Sequence, residues 1–269
     1  MAELLIDDLV VTFGSGANAV RAVDDVSLRV PHGTIVGLVG ESGSGKSTIA
    51  RTIAGLQRPT SGTLKLDGRD LFARRPNRRA NASDVQMIFQ DPYSSLNPRM
   101  TVGETIDEAI ATHSDASAKE RAASVRELLD LVRLKTDAAD LYPSSLSGGM
   151  RQRVAIARCL AVRPRLIVAD EITSALDASV QGAVLNLLKD LQRELELSVV
   201  FITHNLAAVR YIADTTAVMS RGRIVEHGDA EQIVAHPRHP YTQSLIEAIP
   251  RIDNAGTDHL LRTLAEADA

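Results

Sequence analysis

The sequence predicts an α/β fold. A mostly parallel sheet forms its core, an antiparallel β subdomain stands at the N-terminus, and an α-helical subdomain is inserted into the core. Three observations predict this. The short apolar runs Ile35–Val39, Leu166–Ala169 and Val199–Thr203 have the length of buried parallel strands. Helical patterns alternate with them, which favours parallel pairing. From Asp91 to about Ala161 the pattern is helical throughout, with no strand signal.

Taken in order, Ala2–Thr12 and Val20–Val30 read as strands joined by the turn Gly14–Asn18. A helix is expected over about Ser47–Leu56, and Pro59–Gly68 reads as a turn and a strand. Ile88–Gln90 closes a further strand. Lys119–Leu134 carries Val125, Leu128, Leu129 and Val132 at helical spacing, and Met150–Ala161 forms another helix. Val180, Val184, Leu187, Leu188 and Leu191 mark an amphipathic helix. Val218–Glu226 has the pattern of a hairpin turning at Arg221-Gly222.

Composition sets limits. A chain of 269 residues can bury one good core plus a subdomain. Hydrophobic content of 44% and charged content of 24% are ordinary for a soluble protein. A net charge of −4 gives no reason to invoke nucleic acid. The basic run at residues 74–79 lacks interleaved aromatics and reads as a solvated loop. The single cysteine, Cys159, excludes an internal disulfide and fits a reducing compartment. The acidic N-terminus is not that of a signal peptide, and no apolar run approaches the ~18 residues of a membrane span.

Chemistry concentrates in three places. Gly40, Glu41, Ser42, Gly43, Ser44, Gly45, Lys46, Ser47 and Thr48 follow a strand and open a helix, the context in which G-x-x-x-x-G-K-[ST] cradles phosphates. The glycines let successive N–H groups face an anion, and the helix start adds roughly half a positive charge. Lys46 would reach the β- and γ-phosphates, with the Ser47 hydroxyl on Mg2+. A glycine-rich turn with a stray lysine lacks this strand-and-helix context. The strand Leu166–Ala169 ends in Asp170, placed to hold Mg2+, and Glu171, placed to polarise water. Such a base contributes about 10²–10⁴-fold. Finally, Ser147 caps a helix entered through Gly148 and Gly149, a second start able to grip an anion. Two such starts in one chain invite a nucleotide held between two chains.

These residues together resemble the ATP-binding subunit of ABC transporters. The P-loop of Gly40–Ser47 matches the Walker A motif, and Leu146–Met150 the family signature, with Met150 where glutamine is commoner. Gln90 matches the Q-loop residue that touches Mg2+, Asp170 and Glu171 match Walker B and its catalytic glutamate, Ser174–Asp177 the D-loop, and His204 the switch histidine. Phe13 sits where the family places an aromatic on adenine. The resemblance covers residues 3 to 250 in family order. It implies a RecA-like core of residues 1–90 and 162–235, a helical subdomain of 91–161 carrying the signature, and a tail from 236 to 269. It also implies ATP and Mg2+ as cofactors and hydrolysis at a dimer interface, with Lys46, Gln90, Glu171 and His204 catalytic. Ser147, Gly149 and Asp177 of an opposing chain would complete each site.

The stretches Gln90–Ile106, Ser174–Gln181 and His236–Pro250 further resemble the peptide-importer branch, whose relatives also take nickel and metal chelates. That implies a second ATPase subunit arranged head to tail, two transmembrane permease subunits, an extracytoplasmic solute-binding protein acting indirectly, and a place on the cytoplasmic face of the membrane. No nucleic acid is implied. The contrasting reading, a soluble ABC ATPase of repair, translation or assembly, lacks its usual coiled-coil insertion or tandem cassette here. Three departures stand out. Ile172 replaces the usual proline after the glutamate, which should loosen that turn. Ser144 and Ser145 replace larger polar residues before the signature. The tail carries no cysteine for an iron–sulfur cluster. His236 and His239 alone do not make a metal site, Cys159 reads as inert packing, and Tyr93, Leu96 and Met100 mark either a docking surface or subdomain packing.

Overall fold

The computed structural model describes residues 2–73 and 78–248. The strands are β1 (Leu4–Phe13), β2 (Val20–Val30), β3 (Ile35–Val39), β4 (Ser61–Leu66), β5 (Arg69–Asp70), β6 (Val85–Ile88), β7 (Leu166–Asp170), β8 (Ser198–Thr203), β9 (Thr215–Ser220) and β10 (Arg223–Asp229). The helices are α1 (Lys46–Ile53), α2 (Arg78–Asp84), α3 (Pro92–Ser95), α4 (Val102–His113), α5 (Ala118–Leu131), α6 (Gly148–Leu160), α7 (Ala178–Glu194), α8 (Leu206–Ile212), α9 (Ala230–Ala235) and α10 (Pro240–Glu247). Among the described residues the chain between β6 and β7 is helical, apart from turns.

Two sheets form. One is antiparallel, in the order β2-β1-β4-β5; the other has the order β10-β9-β3-β8-β7-β6 and is parallel except for its edge strand β10. Strands β3, β7 and β8 are buried on both faces, as the continuous apolar runs require. Alternation then sorts the side chains. Ile35, Val39, Ile167, Ala169, Val199 and Phe201 face the helices of one layer. Val36, Leu38, Val168, Val200 and Ile202 face α1 and the antiparallel sheet.

The register lines up the strand ends. Val39 pairs with Thr203, Asp170 with Ile202, and Ile88 with Ala169. The loops after β3, β6, β7 and β8 therefore leave the same carboxyl edge, where open α/β sheets bind ligands. Of the expected elements, the Arg221-Gly222 hairpin forms with φ of 47° and 85° at the two turn residues, the signs a type I′ turn needs. The helix expected to reach Leu134 stops at Leu131, because Arg133 turns left-handed (φ 58°) and the Leu134 N–H returns to the Leu129 carbonyl. The expected solvated run at 74–79 lies mostly outside the described residues, with only Arg78 and Arg79 seen, opening α2. The tail beyond Ala248 also lies outside them.

Candidate functional site at the sheet's carboxyl edge

The loop between β3 and α1 lies close against its neighbours. A Cβ at Gly40 would stand 2.1 Å from the Met219 carbonyl oxygen, and one at Gly45 2.2 Å from that of Ala22. Both also take positive φ, so only glycine fits. Lys46 is 5% exposed, and its Nζ donates to the carbonyls of Gly40 and Glu41, 2.8 Å each. Desolvation pulls its pKa below the usual lysine value, while Glu171, Asp170 and Glu41 oppose the shift. Glu41, Ser42, Gly43 and Ser47 are exposed and Thr48 is half-buried. Ser44 is buried, and its Oγ has no hydrogen-bond partner.

Asp170, 6% exposed at the end of β7, accepts from the Ser47 hydroxyl at 3.5 Å. Burial raises its pKa, and the Glu171 charge adds to the rise; Ser47, Lys46 and Arg51 only partly offset them. A buried carboxylate short of compensation beside a hydroxyl forms an all-oxygen donor set, which fits Mg2+.

Glu171 follows in the left-handed region (φ 49°), a conformation uncommon for a glutamate. Its N–H donates to Ile202, and its carbonyl accepts from the Ser174 N–H and hydroxyl. Its carboxylate sits between two residues that the sequence assigned to the site in other roles: Gln90 Nε2 donates to Oε2 at 2.9 Å, and His204 Nδ1 lies 3.5 Å from Oε1. Gln90 is thus joined to Glu171 rather than to the Ser47–Asp170 pair. Ile172 is 1% exposed and belongs to the core. The turn that its replacement of proline was expected to loosen is anchored by that side chain and by Ser174.

Ser147 caps α6, its Oγ accepting from the Met150 N–H at 3.3 Å. A Cβ at Gly149 would meet Val180 Cγ1 at 2.5 Å, so the start of α6 rests directly on α7. Gly148 is exposed and close to Leu176. Ser147, Gly149, Met150, Arg153, Ser179 and Val180 line one cleft. The phosphate loop lines another with Ser220, Arg221 and Tyr241. The two helix starts therefore line different clefts. Asp177 begins α7 exposed, without a side-chain cap hydrogen bond.

Phe13 is 44% exposed and pairs with Val20, two residues before Ala22, whose carbonyl faces Gly45. The end of β1 thus presents an open aromatic beside the strand whose Ala22 carbonyl faces the phosphate loop. Tyr93 is exposed beneath the Arg151 guanidinium, 4.9 Å from the ring centre, whereas Leu96 is buried. Arg158 donates to the Ser95 carbonyl at 2.5 Å, a second tie between α6 and the segment after Gln90. His239 Nδ1 accepts from the Tyr241 N–H, and no metal-holding cluster of three or more side chains occurs among the described residues. Burial pushes the Cys159 thiol up to about 12. Sequence reasoning missed Tyr241, whose hydroxyl accepts the Glu41 N–H at 3.0 Å across 200 residues of chain. It also missed Val180 beneath Gly149.

Comparison with known families decides the membership. A family described as "ABC transporter" matches residues 23–174. The chain belongs to the ABC transporter family. A second match, "Oligopeptide/dipeptide transporter, C-terminal region", covers residues 225–268. As an ABC cassette, the chain is 48% identical over 242 residues to the oligopeptide transport ATP-binding protein OppF of Lactococcus lactis, spanning 90% of this chain and 76% of that one. It is 46% identical over 235 residues to the dipeptide transport ATP-binding protein DppF of Escherichia coli, spanning 87% and 70%. Among solved structures, the dimeric post-hydrolysis ATP-binding cassette MJ0796 bound to ADP and Pi superposes with a TM-score of 0.76. Its identity is 29%, over 84% of this chain and 98% of that one. CbiO1 from Clostridium perfringens shares the fold, with a TM-score of 0.78 at 24% identity over 96% and 98% of the two chains. This ABC cassette is an ATPase, and no helix among its described residues is long and apolar enough to cross a membrane.

Proposed function

We propose that the chain hydrolyses ATP at the interface of an ATPase pair to drive peptide uptake through separate membrane subunits. The observation that carries this is the clustering of Lys46, Ser47, Asp170, Glu171, Gln90 and His204 at one sheet edge. Lys46 and the loop amides bind the β- and γ-phosphates, and Phe13 stacks on adenine. Ser47 and Asp170 would hold Mg2+, which when bound neutralises phosphate charge, while Gln90 joins the site through its hydrogen bond to Glu171. Glu171 takes the proton of the attacking water, oriented by its hydrogen bond from Gln90 and flanked by His204. His204, 59% exposed at its side chain, faces the γ-phosphate.

Ser147 and Gly149 lie in a cleft apart from the one the phosphate loop lines, which supports their service, with Gly148 between them, to the nucleotide of an opposing subunit, with Asp177 linking the two sites. The dimeric cassette bound to ADP and Pi supports the same assembly. ATP then favours the closed pair, since only there does its γ-phosphate meet the second helix start. Moving an open:closed ratio from 99:1 to 1:99 takes ~5.5 kcal/mol. Several charge-assisted hydrogen bonds of ~1.5–3 kcal/mol each supply it. The C-terminal match and the names of the relatives favour peptides over nickel or metal chelates, and transport over a soluble role. The partners are a second ATPase subunit, two permease subunits and, indirectly, an extracytoplasmic solute-binding protein; the place of action is the cytoplasmic face of the membrane.

Glu171→Gln tests the assignment. The variant should bind ATP, accumulate the closed pair and lose at least about 10²-fold in phosphate release. Turnover near that of the unaltered chain would refute Glu171 as the base.

A further inference from the structure

We propose that Tyr241 is a positioning residue for the phosphate loop, through which the C-terminal segment sets ATP affinity. The Glu41 backbone is held at both its N–H and its carbonyl. Its N–H donates to the Tyr241 hydroxyl at 3.0 Å, and its carbonyl accepts from Lys46 Nζ at 2.8 Å and from the Ser44 N–H at 3.2 Å. Glu41 is exposed, so without the tyrosine its N–H would be left to water. A lysine that turns toward a phosphate gives up its bonds to the loop carbonyls. The tyrosine bond stays in place and keeps the first peptide of the loop in the orientation the phosphates meet.

The tyrosine is itself held in place. Glu226 on β10 accepts the N–H groups of Arg238 at 2.8 Å and His239 at 3.1 Å. His239 Nδ1 in turn caps the start of α10 by accepting the Tyr241 N–H at 3.2 Å. A continuous chain of hydrogen bonds thus runs from the sheet edge through Glu226 and the start of α10 to the phosphate loop. Tyr241 touches no reacting atom; it acts through Glu41. The proposal rests on Gly40–Thr48 binding the nucleotide phosphates.

Tyr241→Phe keeps the ring and removes the acceptor. In the full chain, the dissociation constant of a fluorescent ATP analogue should rise about 3- to 10-fold, the scale of one neutral hydrogen bond. In phosphate-release assays KM should rise by more than kcat falls. Hydrogen–deuterium exchange of the nucleotide-free chain should quicken in the peptide containing Glu41. Glu226→Ala should weaken binding similarly, and adding Tyr241→Phe to it should cause no further loss. If Tyr241→Phe changes neither affinity nor exchange while Lys46→Ala abolishes ATP binding, the strap is refuted and the loop assignment stands. If Lys46→Ala binds ATP normally, the loop assignment itself fails.

Discussion

Gly149→Ala probes the contact between the signature helix and its neighbour. The added methyl would stand 2.5 Å from Val180 Cγ1. Carbon atoms settle at about 3.5–4.0 Å, so the start of α6 must move by about 1 Å or Val180 must yield. Overpacking of this kind costs about 1–3 kcal/mol. Replacing a helical glycine returns up to about 1 kcal/mol, leaving a net loss of ~0–2 kcal/mol, or ~0–8 °C in melting temperature for a domain of this size. The functional effect should be larger. An amide displaced by about 1 Å forfeits a charge-assisted bond of ~1.5–3 kcal/mol, which is about 10- to 100-fold in ATP-driven pairing. Size-exclusion chromatography with ATP in the Glu171→Gln background, and phosphate release with the base intact, would measure it. Val180→Ala removes the clashing methyl and should restore both readings to Gly149→Ala. Unchanged pairing in Gly149→Ala, or no recovery in the double variant, would refute the steric reasoning.

Two further outcomes follow from the titrating groups. Asp170→Asn should raise the melting temperature of the nucleotide-free chain while abolishing magnesium-dependent turnover. The raised pKa of Asp170 means that its ionisation weakens the fold as pH rises through the carboxylate range. The stability gain of Asp170→Asn should therefore be greatest at neutral pH and shrink on acidification; a gain constant with pH would contradict this. Cys159, with its thiol pushed up to about 12 and the side chain 4% exposed, should resist maleimide in the native chain and react once denatured. Rapid labelling under native conditions would contradict the burial of Cys159 in the core beside the end of α6.

Much of the site was legible because its chemistry is local. A glycine loop between strand and helix presents its own amides, so Gly40–Thr48 needs no distant partner to be recognised. Asp170 and Glu171 announce themselves as acids at a strand end. Other features left little trace. The left-handed turn at Glu171 is set by bonds to Ile202 and Ser174. Helix α5 ends early because Arg133 reverses the chain, although the apolar periodicity continues to Leu134. Ile172 read as a loosened turn, yet burial makes it an anchor.

By itself, the sequence determined the class of fold, the phosphate loop and the identity of the acids, because short-range spacing fixes which backbone amides and side chains a loop offers. Only the tertiary structure decided which of them meet. Register across the parallel strands brought Gln90 and His204 onto Glu171, helix packing put Val180 beneath Gly149, and the return of α10 laid Tyr241 on Glu41. Contacts between residues so far apart in the chain depend on how whole layers pack, and no local pattern encodes that.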